Sequence, residues 1–256
     1  MKVVVCTKHV ATLGDEIEFT SDGRDVDPDY LERSLNEWDV FATEEALKIV
    51  EAVGGEDSEV VAVTVGSEEA DEALRRCLAM GATRAVRIDV FGVDAMDPLT
   101  TARELAAVVL RENPDLVLCG VQASDSVQAA TGTMLAELAG MPPVAVVTEI
   151  DYEHGARHAV VHRELEGGMI DVVEVATPAV LTVQTGINTP RYATLRAIKQ
   201  AQLKEIEVLE RSCSDPGAYR IRSMALPERG AGAEMLGEDA GGVASRIAEI
   251  VKARLS

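Results

Sequence analysis

Residues Glu59–Ile88 read EVVAVTVGSEEADEALRRCLAMGATRAVRI and contain a complete strand–helix–strand unit. Glu59–Val65 is a short apolar run rich in valine, the pattern of a strand covered on both faces. Ser67–Ala79 has helical periodicity, with Ser67 read as its N-cap. Ala85–Ile88 is a second short strand. A helix between two strands returns the chain to the edge where it began, so the strands pair in parallel.

The unit repeats on both sides. Lys2–Thr7 is a strand, and Thr43–Val53 (TEEALKIVEAV) is helical. The Thr43-Glu44-Glu45 opening is read as a helix start, where acids favour the dipole. Pro98–Glu112 is helical, Leu116–Cys119 is a buried strand ended by Gly120, and Thr131–Ala139 is a helix closed by Gly140 and Pro142-Pro143. This alternation specifies an α/β fold with a doubly wound, mostly parallel sheet. Ligands of such sheets sit beyond the carboxyl ends of the strands.

After Pro143 the long helices stop. Val144–Asp151, Ala159–Arg163, Met169–Val175 and Ala179–Gln184 read as additional, partly antiparallel strands, with His154-Gly155 as a hairpin turn. Beyond Lys204–Leu209 the chain is loose and rich in Gly, Ala and Glu until an amphipathic helix at Val243–Leu255. The expected division is an α/β nucleotide-binding domain over 1–210 and a C-terminal arm over 211–256. From composition alone the arm is either a flexible end or a segment that packs on another chain.

The chain has 256 residues, of which 47% are hydrophobic and only 3% aromatic, so small aliphatic side chains must fill the core. A formal charge of −20 argues against nucleic acid or an anionic membrane surface as partner. The four cysteines, Cys6, Cys77, Cys119 and Cys213, form no C-x-x-C pair and are expected to be free thiols in a reducing compartment. The chain enters a strand directly from Met1 and has no apolar run near a membrane span, so no leader peptide and a cytoplasmic location are expected.

No constellation supplies a nucleophile with its base. His9 follows the first strand, and His154, His158 and His162 surround one hairpin without metal-ligand spacing. There is no G-x-S-x-G, phosphate-loop lysine or H-E-x-x-H pattern. The more informative segment is Gly120-Val121-Gln122-Ala123-Ser124-Asp125-Ser126-Val127-Gln128-Ala129-Ala130-Thr131, between a buried strand and a helix. Its small residues let backbone N–H groups approach a phosphate, and a helix start favours the anion. Ser124, Ser126 and Thr131 add hydroxyl donors, while Asp125 either caps the helix or orients the loop. An ordinary βα loop is the alternative. A second loop at the same sheet edge, Ser34-Leu35-Asn36-Glu37-Trp38-Asp39, holds the only tryptophan. Trp38 either closes the core or walls a ligand.

The stretch Val161–Ala201 carries a family resemblance. Val161-x-Arg163-Glu164-Leu165-Glu166-Gly167-Gly168, then Pro178, and then Asn188-Thr-Pro-Arg-Tyr-Ala-Thr-Leu195 resemble the signature of the electron transfer flavoprotein β subunit. The match extends from Met1 to about Leu209 and is similar in detail to the methylotroph branch serving amine dehydrogenases. Asp171 stands where the signature has Gln or Glu, a one-carbon departure. The resemblance implies a non-enzymatic electron carrier that pairs with an α subunit holding the redox-active FAD. It implies a structural AMP in this chain, contacted at Cys6, Asn36, Glu37, Trp38, Asp39, Val65 and Gly120–Thr131. Ala129 and Ala130 replace residues usually polar in the family, which leaves the backbone, Ser126 and Thr131 to hold the phosphate. The resemblance also implies that Glu164 meets the α subunit and that Arg191, Tyr192 and Leu195 belong to a segment docking a donor dehydrogenase. A membrane quinone oxidoreductase is the implied acceptor. Two alternatives remain open: an electron-bifurcating subunit that binds a second FAD and uses NADH, and a stand-alone adenine-nucleotide-binding module. The bifurcating pattern Asp-Gly-Asp-Thr-Ala-Gln is not matched by Asp125-Ser-Val-Gln-Ala-Ala.

Overall fold

A computed structural model describes residues 1–14, 16–55, 57–90, 96–153, 155–212, 221–227, 232–233, 235–236 and 239–255. In chain order the strands are β1 (Lys2–Thr7), β2 (His9–Leu13), β3 (Leu31–Leu35), β4 (Glu59–Gly66), β5 (Arg84–Asp89), β6 (Leu116–Gly120), β7 (Pro143–Asp151), β8 (His158–Leu165), β9 (Met169–Ala176), β10 (Ala179–Val183) and β11 (Glu207–Glu210). The helices are α1 (Glu37–Val53), α2 (Asp71–Met80), α3 (Pro98–Glu112), α4 (Thr131–Ala139), α5 (Leu195–Leu203) and α6 (Ala240–Leu255). Nine strands form one sheet in the order β11-β5-β4-β1-β6-β10-β7-β8-β9. The run from β11 to β7 is parallel, and β8 and β9 extend it antiparallel.

Strand pleating divides the core into two layers. Val3 and Val5 of β1, with Val60, Ala62, Leu116 and Leu118, pack under α1 and α2. Val4 and Cys6, with Val61, Val63, Val117 and Val180, pack under α3 and α4. Successive residues point to opposite faces, so a continuous valine run satisfies both layers. The expected α/β architecture is therefore present, with its antiparallel extension.

Three local expectations are corrected. Helix α1 begins at Glu37, six residues before Thr43, and Thr43-Glu44-Glu45 is buried in its middle. Thr43 Oγ1 donates to the Asp39 carbonyl at 2.7 Å, one turn back, so it is not a cap. Ser67 makes no capping hydrogen bond, because a 3₁₀ turn at Glu68–Ala70 precedes α2. Residues 9–13 and 31–35 pair as an antiparallel ribbon that sequence patterning did not indicate. His154, Cys213 and about half of the loose segment before α6 lie outside the described residues.

The amino edge of the parallel sheet is closed by ion pairs. Glu112 meets Lys2 at 3.1 Å, Arg84 at 2.6 Å and Arg111 at 2.9 Å, while Glu59 meets Lys2 at 3.1 Å and Arg84 at 2.9 Å. These partners outweigh burial and hold the Glu112 carboxyl down at about 2. The opposite, carboxyl edge carries the long loops.

Helix α4 sits close against the sheet through Gly132. A Cβ there would lie 2.6 Å from Thr182 Cγ2 and 2.7 Å from Cys119 Sγ. Overpacking of this kind costs about 1–3 kcal/mol. Gly132→Ala should lower unfolding stability by that amount in urea titration, and an unchanged midpoint would mean that α4 shifts freely.

Candidate functional site

Helix α1 follows β1 through the ribbon and covers one face of the sheet, whereas α4 follows β6 and covers the other. β1 and β6 are neighbours whose following helices cover opposite faces, and the carboxyl ends of such a strand pair are where sheets of this kind place a ligand crevice. The two predicted loops meet there, although Asn36–Asp39 is the cap and first turn of α1.

Asp39 joins the two strand ends. Its Oδ2 accepts the Lys8 backbone N–H at 2.8 Å, and its Oδ1 accepts the Gly120 N–H at 2.9 Å. A Cβ on Gly120 would stand 2.4 Å from Trp38 Cβ, so glycine is required for this approach. Asn36, 1% exposed, holds the loop further along. Its Nδ2 donates to the Gln122 carbonyl at 2.8 Å, and its Oδ1 accepts the Ser124 N–H at 3.2 Å. Asp125 accepts from Lys8 Nζ at 2.6 Å and from the Ala11 N–H at 3.4 Å. It therefore orients the loop; α4 has Ala130 at its N-cap and no side-chain cap.

Cys6 is buried one residue before the end of β1, and Val65 is half-buried near the end of β4. Burial pushes the Cys6 and Cys77 thiols up to about 12, and Cys6, Cys77 and Cys119 are free, so these are inert core residues. Val121 donates its N–H to the Val183 carbonyl at 3.1 Å. Ala123 accepts at its carbonyl from the Val127 N–H at 2.9 Å. Ser124, Ser126, Val127, Gln128 and Ala129 are exposed, and Val127 and Ala129 have positive φ values of 50° and 48°. Thr131 is the first residue of α4, whose first turn carries no acid. The exposed small residues and the helix end without a side-chain cap fit an anion such as a phosphate. Glu37 is exposed, and Trp38 is half-buried with Nε1 donating to Gln184 Oε1 at 3.0 Å.

The predicted partner residues lie elsewhere. Arg191, Tyr192 and Leu195 follow β10 and run beside α1 into α5. Glu164 is exposed on β8, opposite Ile170 of β9 and three places from β6 in the sheet. Glu164 is thus not brought together with the crevice.

A family model described as "Electron transfer flavoprotein domain" matches residues 26–213. The chain is 46% identical over 239 residues to the electron transfer flavoprotein subunit beta of Methylophilus methylotrophus, covering 90% of each chain. It is 35% identical over 251 residues to the Bradyrhizobium diazoefficiens subunit beta, covering 98% of this chain and 96% of the relative. The human subunit beta is 34% identical over 212 residues, covering 82% and 81% respectively. The chain belongs to the electron transfer flavoprotein family, as a β subunit. Its role is electron transport, in association with flavin and an α subunit. The matched region includes the crevice from Asn36 onward and the whole 184–203 segment. No helix among the described residues is long and apolar enough to cross a membrane.

Sequence reading of this β subunit missed Lys8, Gln184 and Glu44. The signal for Glu44 was present: two adjacent acids on an otherwise apolar helical face require a distant cation or amide. Lys8 and Asp125 are 117 positions apart, so no local pattern joins them.

Burial pushes the Asp39 carboxyl up to about 7, against the Lys8 and Gly120 N–H groups that favour the anion. Its unfolded value is about 4. The folded state therefore binds the proton more tightly, and this stability is complete below about pH 4 and lost as pH rises through the folded value. Between pH 5 and 8 the protein should lose about 3 kcal/mol relative to Asp39→Asn, measured by denaturant titration. Parallel pH profiles for the two proteins would show that Asp39 stays ionised throughout.

Proposed function

We propose that this β subunit binds a structural AMP in the crevice between β1 and β6 and supports the FAD domain of the α subunit. In the same reading it docks a donor dehydrogenase through residues 188–195. It has no catalytic residues of its own and passes electrons, in the cytoplasm, toward a membrane quinone oxidoreductase. Resemblance to the methylotroph branch favours an amine dehydrogenase as donor.

The observation that carries the nucleotide reading is the meeting of the exposed, small-residue 120–130 loop with an uncapped helix end at the sheet's switch point. The bound nucleotide would supply negative charge and a stacking base, and no electron step. Cys6, Asn36–Asp39, Val65 and Gly120–Thr131 would surround it, with Ser126 and Thr131 as hydroxyl donors. Helix α6 buries none of its residues and has exposed Ile247, Val251 and Leu255, which supports packing of the 211–256 arm on the α subunit. Glu164 is exposed and free to meet an α-subunit cation; such a pair is worth roughly 0–1 kcal/mol, enough to bias two orientations of the FAD domain.

The deciding measurement counts nucleotide and flavin in the purified αβ complex. One AMP and one flavin per heterodimer are expected; two flavins would favour the bifurcating alternative. Ser126→Val with Thr131→Val should cost about 1–3 kcal/mol of AMP affinity through lost hydroxyl donors. Full AMP content in that double variant would place the phosphate elsewhere.

Leu195 is 81% exposed, which argues against packing under its own helix. It borders a shallow recess with Arg196, Lys199, Gln200 and Leu203, the form of an apolar anchor with a polar rim. Leu195→Ala should raise KM for the donor dehydrogenase by the equivalent of roughly 1.5–3 kcal/mol of lost burial. Reduction of the flavin by dithionite should be unaffected. A fall in thermal stability with KM unchanged would make Leu195 a structural residue.

A further inference from the structure

Tyr192 is 98% exposed and Leu195 81% exposed, so neither side chain holds its own segment in place. What does is a set of polar anchors on one stripe of α1. Trp38 Nε1 donates to Gln184 Oε1 at 3.0 Å, and that oxygen also accepts the Thr185 N–H at 3.0 Å. Asn188 Nδ2 donates to the Phe41 carbonyl at 3.0 Å and to Glu45 Oε2 at 2.8 Å. Arg191 grips Glu44 with both Nε, at 2.9 Å, and Nη2, at 3.0 Å, while its backbone N–H donates to Glu44 Oε2 at 3.1 Å. Its Nη1 also reaches Glu51 at 2.6 Å. Residues 38, 41, 44, 45 and 51 recur at helical spacing and face the segment together.

Glu44 is 5% exposed. A buried carboxylate is tolerated only with a partner and satisfied lone pairs. Arg191 supplies the charge, and its guanidinium fork and amide occupy both carboxylate oxygens. Pro190, just before it, fixes a further backbone angle. Beyond Arg191, Thr194 caps α5 by accepting the Ala197 N–H at 3.2 Å, and Arg75 of α2 donates to the Ala201 carbonyl at 2.6 Å at the other end. The segment is fixed on both sides of the two exposed side chains.

We propose that Glu44, through Arg191 and assisted by Glu51, is a positioning residue that presents Tyr192 and Leu195 to the donor in one preset conformation. This rests on the reading of residues 188–195 as the docking segment. An ordered segment loses less conformational freedom on binding, so the anchors act on affinity for the donor and not on flavin chemistry.

The test uses the assembled αβ complex and a donor dehydrogenase that reduces the wild-type complex. Hydrogen exchange at the Arg191 amide reports the anchor directly. In Glu44→Gln that amide should exchange about tenfold faster while Ala46 and Leu47 inside α1 stay protected. KM for the donor should rise about three- to tenfold with kcat unchanged. Glu51→Gln removes an exposed carboxylate and should shift both readouts the same way by less; it decides alone if Glu44→Gln fails to assemble. Unchanged KM in both variants, with KM raised by Leu195→Ala, would overturn the positioning role and leave docking intact. Unchanged KM in all three would remove the docking reading and this inference with it. Loss of protection throughout α1 would also overturn it, because Glu44 would then be a packing residue.

Discussion

The carboxylate of Asp39 has to satisfy two backbone N–H groups on adjacent strands, one leaving β1 and one ending β6. The sheet's switch point is made of these two strand ends, and each sends its chain to a different helical layer. Without a shared acceptor both amides would face the edge of the core unpaired. Burial opposes the charge on Asp39 while the amides favour it. The balance places titration close to neutrality, and the register of the crevice depends on this one side chain. Gly120 follows from it, since any larger residue would displace Trp38 and with it the start of α1.

The two edges of the sheet solve opposite problems. At the amino edge, Lys2, Arg84 and Arg111 are matched by Glu59, Glu112 and Glu207, so the strand beginnings are paired among themselves. Beside the loop after β6, Asp39 is engaged by backbone N–H groups and Asp125 by Lys8, and the loop keeps exposed hydroxyl residues, Ser124 and Ser126. On a chain of −20 charge, the anion site proposed for this crevice would need its nearby acids engaged locally. Asp125 is the one acid in that loop, and Lys8 engages it.

The parallel sheet was legible because valine runs such as 59–65 are buried on both faces and need no long-range information. The antiparallel extension was legible for a related reason: strands after Pro143 follow one another without helices. What sequence could not supply were elements fixed by distant partners. The start of α1 was misplaced because Asn36 and Asp39 serve loop 120–124 instead of capping locally. Glu44 and Glu45 resembled a helix start because Arg191 and Asn188, which they hold, lie more than a hundred residues away. Among the described side chains the β2–β3 ribbon buries the apolar residues Val10 and Leu35, too few to produce strand alternation. In the crevice, the resemblance named the residues, and the geometry assigned Asp39, Asn36 and Asp125 to holding the loop.

Helix α1 consequently serves two surfaces. Its first turn fixes the crevice loop, and the next turns fix the segment ending in Leu195. Under the proposed function, in which the carrier meets a donor and an acceptor in turn, contacts have to form and release quickly. A small, rigid apolar projection suits that need, since it buries little area and orders nothing on binding. In the proposed docking role, affinity would come from a few fixed side chains, and Arg196 and Lys199 beside Leu195 would tune encounter through charge. Burying Glu44 and Glu45 costs stability that an apolar face would not, and the polar stripe is where a helix of this fold ties down a loop that has no core of its own.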